Sequence, residues 1–216
     1  MKKFDLFDEP LIYLITDGET TAENYPENKT KILSLIEIAV QSKISLIQIR
    51  EKHLSARLVF ELASEAAKIT GNSRAKLLVN DRADIAQAAK ADGVHLTSRS
   101  TSADVIRRNF SENFIIGVSA HSIEEVETAE RQAADFAVFS PIFASPGKGE
   151  PRGIETLRRI CERLKPFPVL ALGGVNEANY AETLRAGASG FAAIRFLNDE
   201  GNLRSCLETI KLKDAR

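Results

Sequence analysis

Short apolar runs alternate along the whole chain with longer stretches of helical periodicity. The apolar runs fall at residues 11–15, 45–49, 76–79, 93–96, 114–118, 136–140, 168–172 and 190–194. Most are apolar throughout rather than alternating, as in strands of a parallel sheet covered on both faces. Between them the spacing predicts helices over 31–41, 56–70, 83–89, 102–110, 123–132, 154–164 and 178–186. In the second helix Leu58, Val59, Leu62, Ala63 and Ala66 make one buried stripe. Ser122-Ile-Glu-Glu125 reads as a capping box opening the fifth, and Gly187 stands where a C-cap would close the helix before the last strand.

Strand–helix alternation implies parallel strands joined by crossovers. Eight such units in about 200 residues predict an α/β fold, a closed (β/α)8 TIM barrel. The open doubly wound sheet is the rival, but it usually has fewer strands and a Gly-rich turn after the first. Here the first strand ends Ile15-Thr16-Asp17-Gly18, with no G-x-G-x-x-G behind it. No linker rich in Pro, Gly or Ser interrupts the chain, so residues 1–216 read as one domain with its core at about 11–210. The polar segment 19–29 reads as a mobile loop over the barrel mouth, and 211–216 as a frayed tail.

Composition narrows the function classes. With 29 Lys plus Arg against 30 Asp plus Glu, the net charge of -1 gives no reason to expect nucleic acid or a membrane surface as partner. No apolar run approaches the roughly 20 residues that span a bilayer. The start, Met1-Lys2-Lys3-Phe4-Asp5, does not resemble a signal peptide. Cys161 and Cys206 fit neither a disulfide framework nor a metal-ligand spacing, so reduced thiols and a cytoplasmic location are expected. With two Cys and three His, any metal is expected to sit among oxygen ligands.

In such a barrel the reactive side chains stand at the C-terminal ends of the strands. After strand two, alternation sends Gln48, Arg50 and Lys52 to one side and Ile49 and Glu51 to the other. Two cations and an amide suit a phosphate or pyrophosphate, although a solvated charge run is the plainer account. After strand three, Asn80-Asp81 is either an Asx turn and helix cap, or Asp81 offers a hard oxygen to Mg2+ while Asn80 donates to a phosphate. After strand five, Ser119 and His121 share a direction, and His121 is either a satisfied helix-start histidine or a ligand-facing donor or acid. No orienting acid or oxyanion hole supports a Ser-His nucleophile there. The loop 141–153 carries Lys148 and Arg152 and is long enough to be a lid, with a plain surface loop as the alternative. Gly173-Gly174 after strand seven and the glycines of strand eight suit a backbone phosphate cradle, though a diglycine also serves close packing.

Taken in order, these stretches resemble the thiamine phosphate synthase superfamily, which includes the thiazole tautomerases. They are Tyr13-Leu-Ile-Thr-Asp17, Ile47-Gln-Ile-Arg-Glu-Lys52, Leu78-Val-Asn-Asp-Arg82, Ala91-Asp-Gly-Val-His-Leu96, Gly117-Val-Ser-Ala-His121, Ser140-Pro-Ile-Phe143, Ala171-Leu-Gly-Gly-Val-Asn176 and Gly187-Ala-Ser-Gly190. Each motif is weak alone; the ordered set from about 11 to 197 is specific. The resemblance implies a TIM barrel that joins a pyrimidine pyrophosphate to a thiazole phosphate and releases pyrophosphate. It implies that Gln48, Arg50, Lys52, Asn80 and Lys148 hold the pyrophosphate, that Asp81 binds Mg2+, and that Ser119 faces the pyrimidine and leaving group. Gly174, with the backbone near Ile194, would hold the thiazole phosphate, with Ser145 of the lid and Arg195 as further substrate contacts. Ser119, His121 and Lys148 are the candidates for catalysis.

Three places depart from the synthase pattern. Where the superfamily usually has Gly-Gln-x-Asp, with the Asp a second Mg2+ ligand, this chain has Thr97-Ser98-Arg99-Ser100, with Asp104 one turn further on. The lid reads Ala144-Ser145-Pro146-Gly147-Lys148 in place of Pro-Thr-x-Thr-Lys. Arg195 replaces a Ser that usually helps hold the thiazole phosphate, and points either inward as a ligand or outward. Because the pyrophosphate set Gln48, Arg50, Lys52, Asn80, Asp81 and Lys148 is retained, a transferase is the leading expectation. A tautomerase with His121 as acid/base, and a non-catalytic binder of thiamine-pathway phosphates, are the alternatives. Small phosphorylated molecules are the expected partners, and a homodimer is the default for a barrel of this size.

Overall fold

The computed structural model describes residues 10–205. Cys206 and the tail 211–216 lie outside the described residues. The eight strands run β1 Leu11–Ile15, β2 Leu46–Ile49, β3 Lys76–Asn80, β4 Gly93–Leu96, β5 Ile115–Ala120, β6 Phe136–Phe139, β7 Val169–Ala171 and β8 Gly190–Ala193. They close in sequence order into a barrel, β8 pairing with β1, and every pairing is parallel. The crossovers are α1 Tyr25–Gln41, α2 Ala56–Thr70, α3 Ala83–Ala88, α4 Ala103–Asn109, α5 Ile123–Arg131, α6 Ile154–Arg163 and α7 Tyr180–Arg185. Helix resumes at residues 200–205 after β8. Among the described residues no helix is long and apolar enough to cross a membrane.

Two apolar compartments explain the continuous runs. Leu11, Tyr13, Ile15, Leu46, Leu78, Ile115, Phe136, Val138, Leu170 and Ala192 fill the barrel interior. The alternate residues, such as Ile12, Leu14, Ile47, Leu77, Val79 and Val94, pack outward under the helices. Each strand is thus buried on both sides, and each fully buried aliphatic side chain contributes on the order of 1.5–3 kcal/mol.

The inward register changes character along several strands. Leu46 gives way to Gln48 and Arg50, Leu78 to Asn80, Ile115 to Gly117 and Ser119, Phe136 to Val138 and Ser140. The apolar plug therefore sits low, and polar groups collect at the C-terminal rim. Parallel closure brings all of those ends to one mouth.

Helix boundaries follow their caps. Ser122 Oγ accepts from the Glu125 N–H at 3.3 Å, while Glu125 reaches back to the His121 N–H at 2.6 Å. Gly187, at φ 94, ends the seventh crossover in the left-handed region. One expectation fails: α1 begins at Tyr25, so much of the segment read as a mobile loop is helix. Pro26 occupies its first turn, and Lys29 forms ion pairs with Glu61 and Glu65 of α2, both at 2.9 Å. The polarity there serves a neighbouring helix rather than solvent alone.

Candidate active site

The end of β2 is braced from both sides. Glu51, turned away from Arg50 as alternation predicts, is buried, and accepts from Thr16 Oγ1 at 2.5 Å and the Thr20 N–H at 3.1 Å. The Arg50 N–H donates to Thr16 Oγ1 at 2.8 Å, and its guanidinium lies against Gly18, donating to the Asp17 carbonyl at 3.4 Å. The loop after β1 is thereby tied to the strand that carries the first cation. A buried carboxylate is tolerated here because donors meet it.

Below this rim runs a chain of side-chain hydrogen bonds. Gln48 Nε2 donates to the Tyr13 hydroxyl at 2.7 Å, the hydroxyl lies 3.2 Å from His95 Nδ1, and His95 Nε2 lies 2.9 Å from Ser119 Oγ. The directions follow from the first bond. Tyr13 oxygen accepts from Gln48, so its proton goes to His95 Nδ1. The imidazole then carries its proton on Nε2 and donates to Ser119. The Ser119 proton is left for a ligand in the mouth. Burial pushes the His95 pKa down to about 4 and the Tyr13 phenol far above its usual range, so both are neutral. Gly117 makes room for this arrangement: a Cβ there would stand 2.9 Å from His95 Nδ1 and 2.4 Å from the Phe136 ring.

Asp81 ends β3 in the left-handed region, at φ 60. Its N–H donates to the His95 carbonyl at 2.9 Å. Its carboxylate accepts from the Thr97 N–H at 3.2 Å, Thr97 Oγ1 at 2.9 Å, Ser100 Oγ, and Asn80 Nδ2 at 2.7 Å. Partial burial raises the Asp81 pKa, but these donors outweigh it and hold the group below the usual carboxylate range. Asn80 thus spends an N–H on Asp81, and its Oδ1 is buried without a partner among the described residues.

This donor set offers a resident Mg2+ one carboxylate where the resemblance implies two. Both Asp81 oxygens already accept hydrogen bonds from neutral groups, and Ser100 stands where a second carboxylate was expected. Asp104 faces its own helix, bonded to Ser102 at 2.6 Å and Arg108 at 3.1 Å. Among the described residues no three Asp, Glu, His or Cys side chains gather in one place. Mg2+ is usually held by one or two carboxylates together with substrate phosphates, and Asp81 brings a single carboxylate that already accepts four hydrogen bonds, which makes a poor resident site before a phosphate arrives.

Around Asp81 the rim is basic. The Lys52 pKa is lowered by burial first, then by Arg50, with Lys148 and Arg99 adding to it and Asp81 opposing. Arg50, Lys148 and Arg99 therefore lie within electrostatic reach of Lys52. Lys148 comes from the exposed loop after β6, where its N–H donates to the Ser145 carbonyl at 3.1 Å. The loop's two ends are pinned to each other and to the strand-seven end: Arg152 N–H to Pro141, Gly153 N–H to Ile142, Phe143 N–H to Gly173.

The other pole follows β7. Gly173 and Gly174 take φ 97 and 67, and a Cβ on Gly174 would lie 2.7 Å from both the Ala144 carbonyl oxygen and Phe143 Cβ. Asn179 Nδ2 donates to the Gly174 carbonyl at 2.9 Å, while among the described residues the Gly173 and Gly174 N–H groups meet no acceptor. Free N–H groups beside a glycine pair suit an anion. Ile194 packs on the inner barrel beside this pole, and Arg195 is exposed just beyond it.

His121 is held elsewhere. Its Nδ1 donates to the Ser140 carbonyl at 2.8 Å, which ties the ring to the end of β6. The histidine that meets Ser119 is His95, which the sequence reading did not single out, and neither Tyr13 nor Glu51 was singled out either. The signal for His95 was a polar residue at the inward register between outward Val94 and Leu96. A cleft of about 380 Å3 on the opposite rim, beside Cys161 and Phe167, belongs to the face that stabilises barrels rather than the one that reacts.

Fold and rim together define a barrel enzyme for small phosphorylated substrates, with a cluster of cations and a glycine pair of free N–H groups on one mouth. The family model for thiamine monophosphate synthase matches residues 12–197, and the chain belongs to that family. Thiamine-phosphate synthase of Caldanaerobacter subterraneus subsp. tengcongensis is 37% identical over 186 residues, covering 83% of this chain and 86% of that one. The Caldicellulosiruptor bescii thiamine-phosphate synthase is 33% identical over 211 residues, covering 96% and 93%. The solved thiamine phosphate pyrophosphorylase from Pyrococcus furiosus superposes with a TM-score of 0.80 at 28% identity, covering 94% of this chain and 96% of that one.

Proposed function

We propose that this chain is a thiamine-phosphate synthase, joining hydroxymethylpyrimidine pyrophosphate to thiazole phosphate. The carrying observation is the pair of anion regions, one basic and one built from glycine N–H groups, with the neutral Ser119 hydroxyl on the same mouth. In this reading Arg50, Lys52 and Lys148, with Gln48 and Asn80 beside them, hold the pyrophosphate. Gly174, with Ser145 and Ile194 at its side and Arg195 at the edge, receives the thiazole phosphate.

The step is a substitution at the pyrimidine methylene. Its C–O bond breaks, and both electrons leave with the pyrophosphate oxygen. The cation left behind is stabilised by the electron-rich pyrimidine. The thiazole nitrogen then supplies its lone pair to form the C–N bond. The rim cations meet the negative charge growing on the leaving group, where fixed charges lower a barrier most. Ser119, its own proton free, donates to the pyrimidine or to the departing oxygen. The Mg2+ implied by the resemblance is given no step, because Asp81 alone makes a poor resident site for it.

Mixing the purified protein with both phosphorylated precursors tests the reading: thiamine phosphate and pyrophosphate should form in equal amounts. No product beside an active control synthase would reject it. The tautomerase alternative is favoured by one observation, Ser100 in place of an acid, but it leaves the basic group without a ligand. That alternative predicts turnover of the thiazole carboxylate phosphate that is lost in His121→Ala. We also assign the protein to the cytoplasm and to a homodimer, which cell fractionation and size-exclusion chromatography test.

A further inference from the structure

We infer that Asp81 is a strut for an arginine-bearing turn, and that Arg99 on this turn, together with Arg50, Lys52 and Lys148, neutralises the leaving pyrophosphate without a resident Mg2+. The inference rests on the synthase reading and deepens it. Residues 97–100 form a tight turn closed by the Ser100 N–H on the Thr97 carbonyl at 3.0 Å and by Ser100 Oγ on the Thr97 N–H at 2.7 Å. Both ends of the turn are fixed to the Asp81 carboxylate, through Thr97 and Ser100. Arg99 sits between these anchors, exposed at the rim and within the field of Lys52. Asp81 is itself locked to β4 through its backbone N–H.

Electrostatics favour this arrangement. Arg50, Lys52, Arg99 and Lys148 stand near Asp81, whose carboxylate is satisfied by hydroxyl and amide donors. A pyrophosphate arriving here meets fixed positive charge and one guanidinium fork more than the strand-two end supplies. Asp81 takes a left-handed conformation at φ 60, one that Asp tolerates, and four donors fix its carboxylate there.

Calorimetric titration with inorganic pyrophosphate, in EDTA and in Mg2+, tests the inference separately from synthase activity. The wild-type protein should bind in EDTA within about fivefold of its affinity in Mg2+. Arg99→Ala should weaken binding in EDTA by roughly tenfold or more, as expected for losing a charge-assisted pair, with Arg99→Lys in between. Ser100→Ala should also weaken it by loosening the turn, and the Arg99→Ala/Ser100→Ala double variant should be no weaker than Arg99→Ala alone. Wild-type binding that needs Mg2+, an Arg99→Ala protein that binds like wild type, or additive losses in the double variant would each overturn the assignment. Absence of thiamine phosphate in the synthase assay would reject the function while leaving these titrations to decide the role of Arg99.

Discussion

His95 Nε2 stands 2.9 Å from Ser119 Oγ, and what sets that contact is the Tyr13 hydroxyl on the far side of the imidazole. Tyr13→Phe removes one oxygen and strands two buried groups, the Gln48 amide and His95 Nδ1. Each costs about 1–3 kcal/mol when left without a partner, so the urea midpoint should fall clearly. Ser119 should also lose its fixed orientation, lowering kcat more than it raises KM. A Tyr13→Phe protein with the parent's midpoint and kcat would show that the relay is idle.

The same imidazole predicts a pH dependence. Burial lowers the His95 pKa from 6.5 to about 4, so the folded protein resists its protonation while the unfolded chain takes the proton near 6.5. The unfolded state therefore binds more protons throughout that window. Stability from this group is complete above about pH 6.5 and is lost as pH falls toward 4, by up to about 3 kcal/mol. Denaturant midpoints taken across this range should show the loss in the parent and a shallower slope in His95→Asn. Equal slopes would remove His95 as the source.

How much of this was legible beforehand differs by element. The eight strands could be read because both faces of each are buried, which makes apolar runs that periodicity detects. The first turns of α1 could not, because Glu27 and Lys29 look like loop residues until Lys31 of the same helix pairs with the first and Glu61 and Glu65 of α2 with the second. Arg50, Lys52 and Asp81 declared themselves by charge at strand ends. His95 did not, since its meaning lies in neighbours on other strands: Asn80 beside it on β3, Gly117 beside it on β5, Tyr13 across the interior. Local sequence carries no record of such contacts.

Arg50 offers a planar fork held by the loop after β1, and the prediction follows from that shape. Arg50→Lys keeps the charge but loses the bidentate contact and the support of Gly18. The KM for the pyrimidine pyrophosphate should rise by roughly tenfold or more, while the KM for the thiazole phosphate should stay near the parent's. Steady-state kinetics with each substrate varied in turn checks this. Equal shifts for both would mean that the two anion regions are not separate.

Gly174 tests the opposite pole. Its φ of 67 disfavours any side chain, and the added methyl of Gly174→Ala would press at 2.7 Å on the Ala144 carbonyl oxygen and on Phe143 Cβ. Neither obstacle is the tip of a flexible chain, so the base of the 141–153 loop or the diglycine must move. The strain costs about 1–3 kcal/mol, visible as a lower melting temperature. The displaced N–H groups should weaken the thiazole phosphate more than the pyrimidine pyrophosphate, because Arg50, Lys52 and Arg99 follow β2 and β4, across the barrel from β7, and Lys148 alone of the basic cluster rides on the loop beside it. A Gly174→Ala protein that melts early yet keeps its KM for thiazole phosphate would mean that the glycines serve packing alone, and the phosphate would then have to be sought among the N–H groups beyond Ile194.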